Sequence, residues 1–194
     1  MKANLTNIKK IESTFLSIEK DFEEIIKILF IQNQPHSDEL KRLLVINTKD
    51  CMDRTNAYYD KLIRETTVAK LKEHGYIRID PRVVQPEHAE IKSYLTFSPE
   101  KVLPNPFNPH YRDTYFTIDI LTHCDYMDLG NLQLRPVKIA GYIDALLKDV
   151  KLSGIGTLEF VDLLPQQEAG DYTGYTLRYK GIHGVDDTLP LEEE

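Results

Sequence analysis

TYFTIDILTHCD, residues 114–125, is the stretch on which the fold turns. Phe116, Ile118, Ile120 and Thr122 alternate with Thr117, Asp119, Leu121 and His123. A period of two in a run rich in β-branched and aromatic residues marks a strand. Upstream, YIRID (76–80) and IKSYLTF (91–97) have the same character. Between IKSYLTF and the long strand lies SPEKVLPNPFNPHYRD, which holds Pro99, Pro104, Pro106 and Pro109. Proline donates no backbone N–H and locks φ, so this segment reads as a long extended loop between two strands. Loops of that length usually contact something or are disordered.

Downstream, LRPVKIAGYIDALLKDV places Pro136 at a favoured first-turn position and sets Val137, Ile139, Ala140, Ile143, Leu146 and Leu147 on one helical face. GTLEFVDLL and DYTGYTLRYKGI then read as two further strands. The order strand, strand, helix, strand, strand predicts an α+β domain: an antiparallel four-stranded sheet with one covering helix, residues 136–150. This domain is expected over residues 76–187, followed by an acidic tail, 188–194.

Residues 1–75 read as a helical N-terminal portion preceding that domain. Ser37 is placed to cap a short helix, SDELKRLLVI, and Thr55 or Asp53 a longer one, TNAYYDKLIRETTVAKLKEHG, that Gly75 ends. Ahead of them Ile8, Ile11, Phe15, Ile18, Phe22, Ile25 and Leu29 recur at alternating spacings of three and four, the seam of an amphipathic helix about three heptads long. Two placements are open for it: an arm that packs on a neighbouring subunit, or a helix laid on its own domain.

The 194 residues are 41% hydrophobic and 28% charged, the composition of a soluble folded chain. No apolar run approaches the roughly 20 residues that cross a bilayer, and the opening MKANLTNIKK lacks the apolar core of a signal peptide. Synthesis in the cytoplasm and no membrane partner are the expectation. Cys51 and Cys124 are far apart and lack CxxC spacing, against a disulfide framework or a zinc site. Residues 1–97 carry net charge +1 and residues 98–194 net −8. An acidic half of that kind does not suit a surface that grips phosphates; it fits either ordinary acidic solubility or a wall past which nucleic acid slides.

INTKDCMDRTNAYYD, residues 46–60, resembles the loop of the Sac phosphoinositide phosphatases, Asn-Cys-x-Asp-Cys-Leu-Asp-Arg-Thr-Asn. Asn47, Asp50-Cys51 and Asp53-Arg54-Thr55-Asn56 fall on matching positions, but the nucleophile's position is Thr48. A threonine hydroxyl has no accessible anion near neutrality, and Cys51 is too close to Arg54 to replace the missing thiolate. No dinucleotide or nucleoside-triphosphate loop is present. His123, Cys124 and Asp125 are consecutive in a strand and point to alternate faces, so they do not converge on one metal. His183 with Asp186 and Asp187 reads as a solvated turn. No catalytic residue, cofactor or metal is expected.

The segment RPVKIAGYIDALLKDVKLSGIGTLEFVDLL followed by GYTLRYKGIHGVDD resembles neck proteins of tailed bacteriophages, in particular the tail-terminator or tail-completion (head-tail joining) group. The resemblance covers Tyr76 to Asp187. It implies a structural virion protein rather than an enzyme, a homo-oligomeric ring where tail meets head, portal, adaptor or tail-tube proteins as neighbours, and genomic DNA only as passing cargo. A ring needs two different complementary faces on each subunit. The expected contact residues are Ile11, Phe15, Ile18, Phe22, Ile25 and Leu29 along the seam, and Pro104, Phe107, Pro109, Tyr111 and Arg112 along the proline-rich stretch.

Overall fold

The computed structural model describes residues 18–31, 34–79, 93–108, 111–152, 156–167 and 171–183. Its centre is a five-stranded sheet built from β1 (Ile77–Ile79), β2 (Ser93–Pro104), β3 (Arg112–His123), β6 (Glu159–Gln167) and β7 (Tyr172–His183), in the order β1-β2-β3-β7-β6. The expected four-stranded antiparallel sheet is corrected on two counts. YIRID joins as a fifth strand, and it runs parallel to β2, so the sheet is mixed. The long strand read from TYFTIDILTHCD is the middle strand, paired antiparallel to β2 and to β7 along its whole length. A separate two-stranded pair, β4 (Lys151–Leu152) with β5 (Gly156–Thr157), lies between the last helix and β6.

More than one helix covers the sheet. A helix described over residues 18–29 (α1) buries Ile18, Phe22, Ile25, Ile26 and Leu29, and the Phe22 ring lies 6.2 Å from Phe97 and 6.0 Å from Phe116. Next come α2 (Pro35–Val45), α3 (Ala57–Glu65) and α4 (Val68–Glu73), and later α5 (Arg135–Leu147). α5 buries Ile139, Ala140, Ile143, Leu146 and Leu147, while Val137 of the predicted face stays exposed. One hydrophobic cluster runs from α1 and α2 through Leu95, Phe97, Ile118 and Ile120 to α5 and Leu177.

The caps differ from the sequence reading. Gln34 precedes α2, which starts at Pro35, and Ser37 is buried inside the first turn. The long helix expected over residues 55–75 is two: Asn56 caps α3 by accepting the N–H groups of Tyr58 and Tyr59, and Thr67 caps α4 by accepting that of Lys70. Thr66 sits between them in extended conformation, where a second capping side chain outcompetes continuation of the helix. Gly75, at φ 70°, ends α4 as expected.

The proline-rich loop is corrected as well. β2 runs on through Pro99 to Pro104, and only residues 105–111 turn. The ladder explains the tolerance. The Leu95 N–H goes to Tyr76 O on the β1 side, so every second residue of β2, Pro99 included, directs its nitrogen away from β3. A bulge after Pro99 shifts the register, and the bond from Asn105 N–H to Tyr111 O leaves the Pro104 nitrogen facing outward too. β1 pairs only with residues 95–97, so both prolines lie on a free edge. Carrying the same alternation through Ile120 and Tyr175 places the Pro165 nitrogen of β6 on the opposite free edge.

Gly174 answers another close approach. A Cβ built there would lie 1.7 Å from the Ile120 carbonyl oxygen and 2.8 Å from its carbon. Those are backbone atoms of the middle strand and cannot swing aside. Gly174→Ala is expected to destabilise the chain by about 3 kcal/mol, the upper range for overpacking, read as a lowered urea midpoint; an unchanged midpoint would refute the close packing.

Candidate assembly surfaces

The β2–β3 turn is braced from within. Asn105 Oδ1 accepts the backbone N–H groups of Phe107 at 2.9 Å and Asn108 at 3.0 Å, and Asn105 Nδ2 donates to Asp113 Oδ1 at 2.7 Å. Asp113 is buried, and its other oxygen meets Lys180 Nζ at 3.1 Å, which pushes the ammonium's pKa up. An asparagine that bonds the backbone two and three residues on fixes a turn without a regular ladder. The outcome is a rigid tip carrying Phe107 at 95% exposure, with Pro104, Leu103 and Tyr111 exposed on the stem and Arg112 half-buried. Pro109 lies outside the described residues.

A second apolar knob lies at the other end of β3. After the short 3-10 turn Cys124–Tyr126, residues 128–134 fold back, with Asp128 Oδ1 accepting the Gly130 N–H at 2.7 Å and Gln133 O accepting the Leu129 N–H at 2.9 Å. Asn131 and Leu132 both take left-handed conformations, φ 51° and 59°. A leucine there is strained, and Leu132 is also fully exposed. Leu134 and Val137 are exposed beside it. No periodicity in the sequence signals Leu132; only the turn geometry lifts it out.

The seam residues Ile18, Phe22, Ile25 and Leu29 are occupied by the chain's own core, the second of the two placements left open for that stretch. Ile11 and Phe15 lie outside the described residues. A third apolar surface is on β6. The helices lie on the face of the sheet that carries Phe97, Phe116 and Tyr179, and β6 places Phe160, Leu163 and Pro165 on that same face. Phe160 stacks edge-on against Tyr179 at 5.9 Å and is still 51% exposed; Leu163 is 36% exposed. Val161 and Leu164 are exposed on the same strand.

The phosphatase-like stretch serves the interior. Cys51 is buried, and burial pushes its thiol pKa up despite the neighbouring Arg135. Within this loop the Cys51 N–H goes to Thr48 O, that of Asp53 to Asp50 O and that of Thr55 to Asp53 Oδ1, so these groups do not point to a common anion. Arg54 is paired with Glu39. Arg42 pairs with Asp60 and donates to Asp53 O at 3.3 Å. Arg135, the fully buried first residue of α5, donates to Leu43 O at 2.8 Å, Ile46 O at 2.9 Å, Thr48 O at 2.7 Å and Tyr126 O at 2.8 Å. The first three of those carbonyls end α2 and begin the loop, where a cation also meets the negative end of the helix dipole, and the fourth belongs to the 3-10 turn after β3. The stretch is a clamp between α2, α3 and α5.

His123 accepts the Asp125 N–H on Nδ1 at 3.2 Å, and among the described residues no His, Cys, Asp and Glu side chains group into a metal site. Asp186 and Asp187 lie outside the described residues. Among the described residues no helix is long and apolar enough to cross a membrane.

A family model, YomW, matches residues 37–181, from the first turn of α2 into β7. The chain belongs to the YomW family. The YomW match takes in the Arg135 clamp, both knobs and β6, and leaves α1 and everything before it outside. No curated protein matches the chain. Among solved structures, a chain of the virion of a native gene transfer agent particle is similar at a TM-score of 0.41 and 14% identity, over 64% of this chain and 90% of that one.

Proposed function

We propose that this chain is a structural protein of a phage-type virion, and within the particle a subunit of a ring at the head-tail junction. The observation that carries the reading is the pair of fully exposed apolar side chains on braced turns, Phe107 and Leu132, at opposite ends of β3. The strand's 12 residues separate them by about 35–40 Å at the usual rise per residue. Isolated exposed apolar residues are ordinary, but two rigid ones at opposite poles suit a subunit held between two different neighbours. The sequence resemblance to tail-terminator proteins over residues 76–187 points the same way. In this reading one end meets the portal or adaptor side and the other the tail tube. The acidic half, net −8 over residues 98–194, flanks a channel that DNA traverses without adhering.

The test is light scattering after size exclusion at rising concentration, with imaging of particles that contain the protein. Expected are a ring-sized oligomer or a concentration-dependent rise in mass, a position at the neck, and loss of one neighbour on Phe107→Ser without a change in melting temperature. A strict monomer that binds neither neck nor tail components overturns the reading.

A further inference from the structure

We propose that residues 80–92, the connection from β1 to β2, lie across the face of the sheet opposite the helices and close a second, smaller core over Tyr94, Thr96 and Leu121. The inference is independent of the virion reading and rests on strand directions, burial and chain length.

The strand directions select the face. β3 and β6 both run antiparallel to β7, so they are parallel to each other, and α5 joins them across the helix-covered side, where Asp144 meets the Tyr179 hydroxyl. Crossovers between parallel strands of one sheet are right-handed in about 98% of cases. β1 and β2 are a second parallel pair, and the step from β1 to β2 moves across the sheet in the same direction as the step from β3 to β6. β2 is antiparallel to β3, however, so both strands of this pair point the other way. Reversing the strands while keeping the direction of the step moves a right-handed connection to the opposite face. Residues 80–92 are thereby directed over the side that no described helix covers.

Burial on that side calls for a cover. Tyr94 pairs with Leu121 and Thr96 with Asp119, on the face opposite Leu95, Phe97, Ile118 and Ile120. All five helices contribute to one main hydrophobic cluster, and Tyr94 and Leu121 are not part of it. Yet Tyr94 is 1%, Thr96 2% and Leu121 0% exposed. Part of the cover is local, since Arg78 stacks on the Tyr94 ring at 4.8 Å and the Tyr172 ring lies 5.5 Å from it. But Leu121 has Gly174 as its neighbour on β7, which offers no side chain, and a threonine is too short for strand neighbours alone to enclose it. On β6 the same face is open, with Leu164 at 44% exposure.

The ends of the segment fit. Ile79, the last residue of β1, pairs with Phe97, and β2 starts at Ser93. The connection has to run back past the levels of Thr96 and Tyr94, about 13 Å at the usual rise and well within its reach. It brings Val83, Val84 and Ile91 as apolar cover. A neighbour approaching this side of the sheet then meets the β7–β6 half, where Arg178, Asp162 and Leu164 stand.

The experiment uses the full chain with Cys124, the exposed thiol, replaced by serine; Cys51 is buried. Thr96→Cys and Leu164→Cys are each labelled with a maleimide in two backgrounds, the parent and a chain whose residues 81–91 are replaced by a glycine-serine linker of equal length. Expected are fast labelling at position 164 in both, slow labelling at position 96 in the parent, and a rise of about tenfold or more at position 96 in the linker chain while it still melts cooperatively. Fast labelling at position 96 in the parent, or protection that survives the linker, overturns the inference. Protection lost only on removing residues 184–194 overturns it in favour of the tail. If the linker chain does not fold, Val83→Asp and Val84→Asp replace it: at least one is expected to raise labelling at position 96 by a similar factor, and neither doing so overturns the inference.

Discussion

Arg135→Ala is expected to cost about 5 kcal/mol of folding stability. The guanidinium is buried and satisfies four carbonyls, those of Leu43, Ile46, Thr48 and Tyr126, at 2.7–2.9 Å. Truncation leaves each acceptor facing a dry cavity, at roughly 1–3 kcal/mol apiece. Removing a cation whose charged form is disfavoured by burial returns part of that sum. For a chain of this size the net loss corresponds to a fall in melting temperature of about 10–20 °C. Arg135→Lys should recover less than half, because one ammonium cannot span the fan of carbonyls that the planar fork reaches. Urea unfolding followed by circular dichroism measures both. A loss below about 1 kcal/mol for the alanine variant would mean that the clamp does not hold α2 to α5.

Phe22→Ala is expected to cost about 4 kcal/mol, within the usual span for deleting a buried ring. Phe22 is the residue of α1 that contacts Phe97 and Phe116 together, so its removal opens a void at the centre of the sheet face. The loss should be independent of protein concentration, since the ring packs within one chain. Unfolding midpoints at widely separated concentrations provide the check. A deficit that shrinks as concentration rises would reassign the Phe22 contact to a neighbouring copy.

Strong periodicity made much of the fold legible before the structure. The alternation in residues 114–125 located the central strand, and the stripe from Ile139 to Leu147 located α5, because burial acts directly on such patterns. The misreadings arose where a local signal competes with the sheet. Prolines argue against a strand only when their nitrogens face a partner, and pairing geometry, absent from sequence, turned those of Pro99 and Pro104 outward. YIRID was seen as a strand, but three residues carry no mark of parallel pairing. Thr67 looked like one more residue of a helix until it proved to be a cap.

The candidate surfaces were legible in part. Phe107 was named from the proline-rich stretch and lies at the tip of its turn, whereas Leu132 is lifted out by two left-handed residues that no spacing rule detects. Arg135 falls just outside the helix expected from Pro136, and nothing in a sequence shows an arginine reaching back some 90 positions to loop carbonyls. Phe160 and Leu163 were assigned to a strand without any sign that helical cover stops one strand short.

The outward-facing prolines have a consequence when many copies of this chain are crowded together. Molecules brought face to face in high numbers present sheets whose rims lack hydrogen donors at Pro99, Pro104 and Pro165, so backbone zippering into cross-β ribbons is blocked at both margins. Recognition is left to side chains, whose shapes can specify an angle between neighbours and hence a finite number of them. A chain built this way can be held at high concentration without its sheets fusing edge to edge.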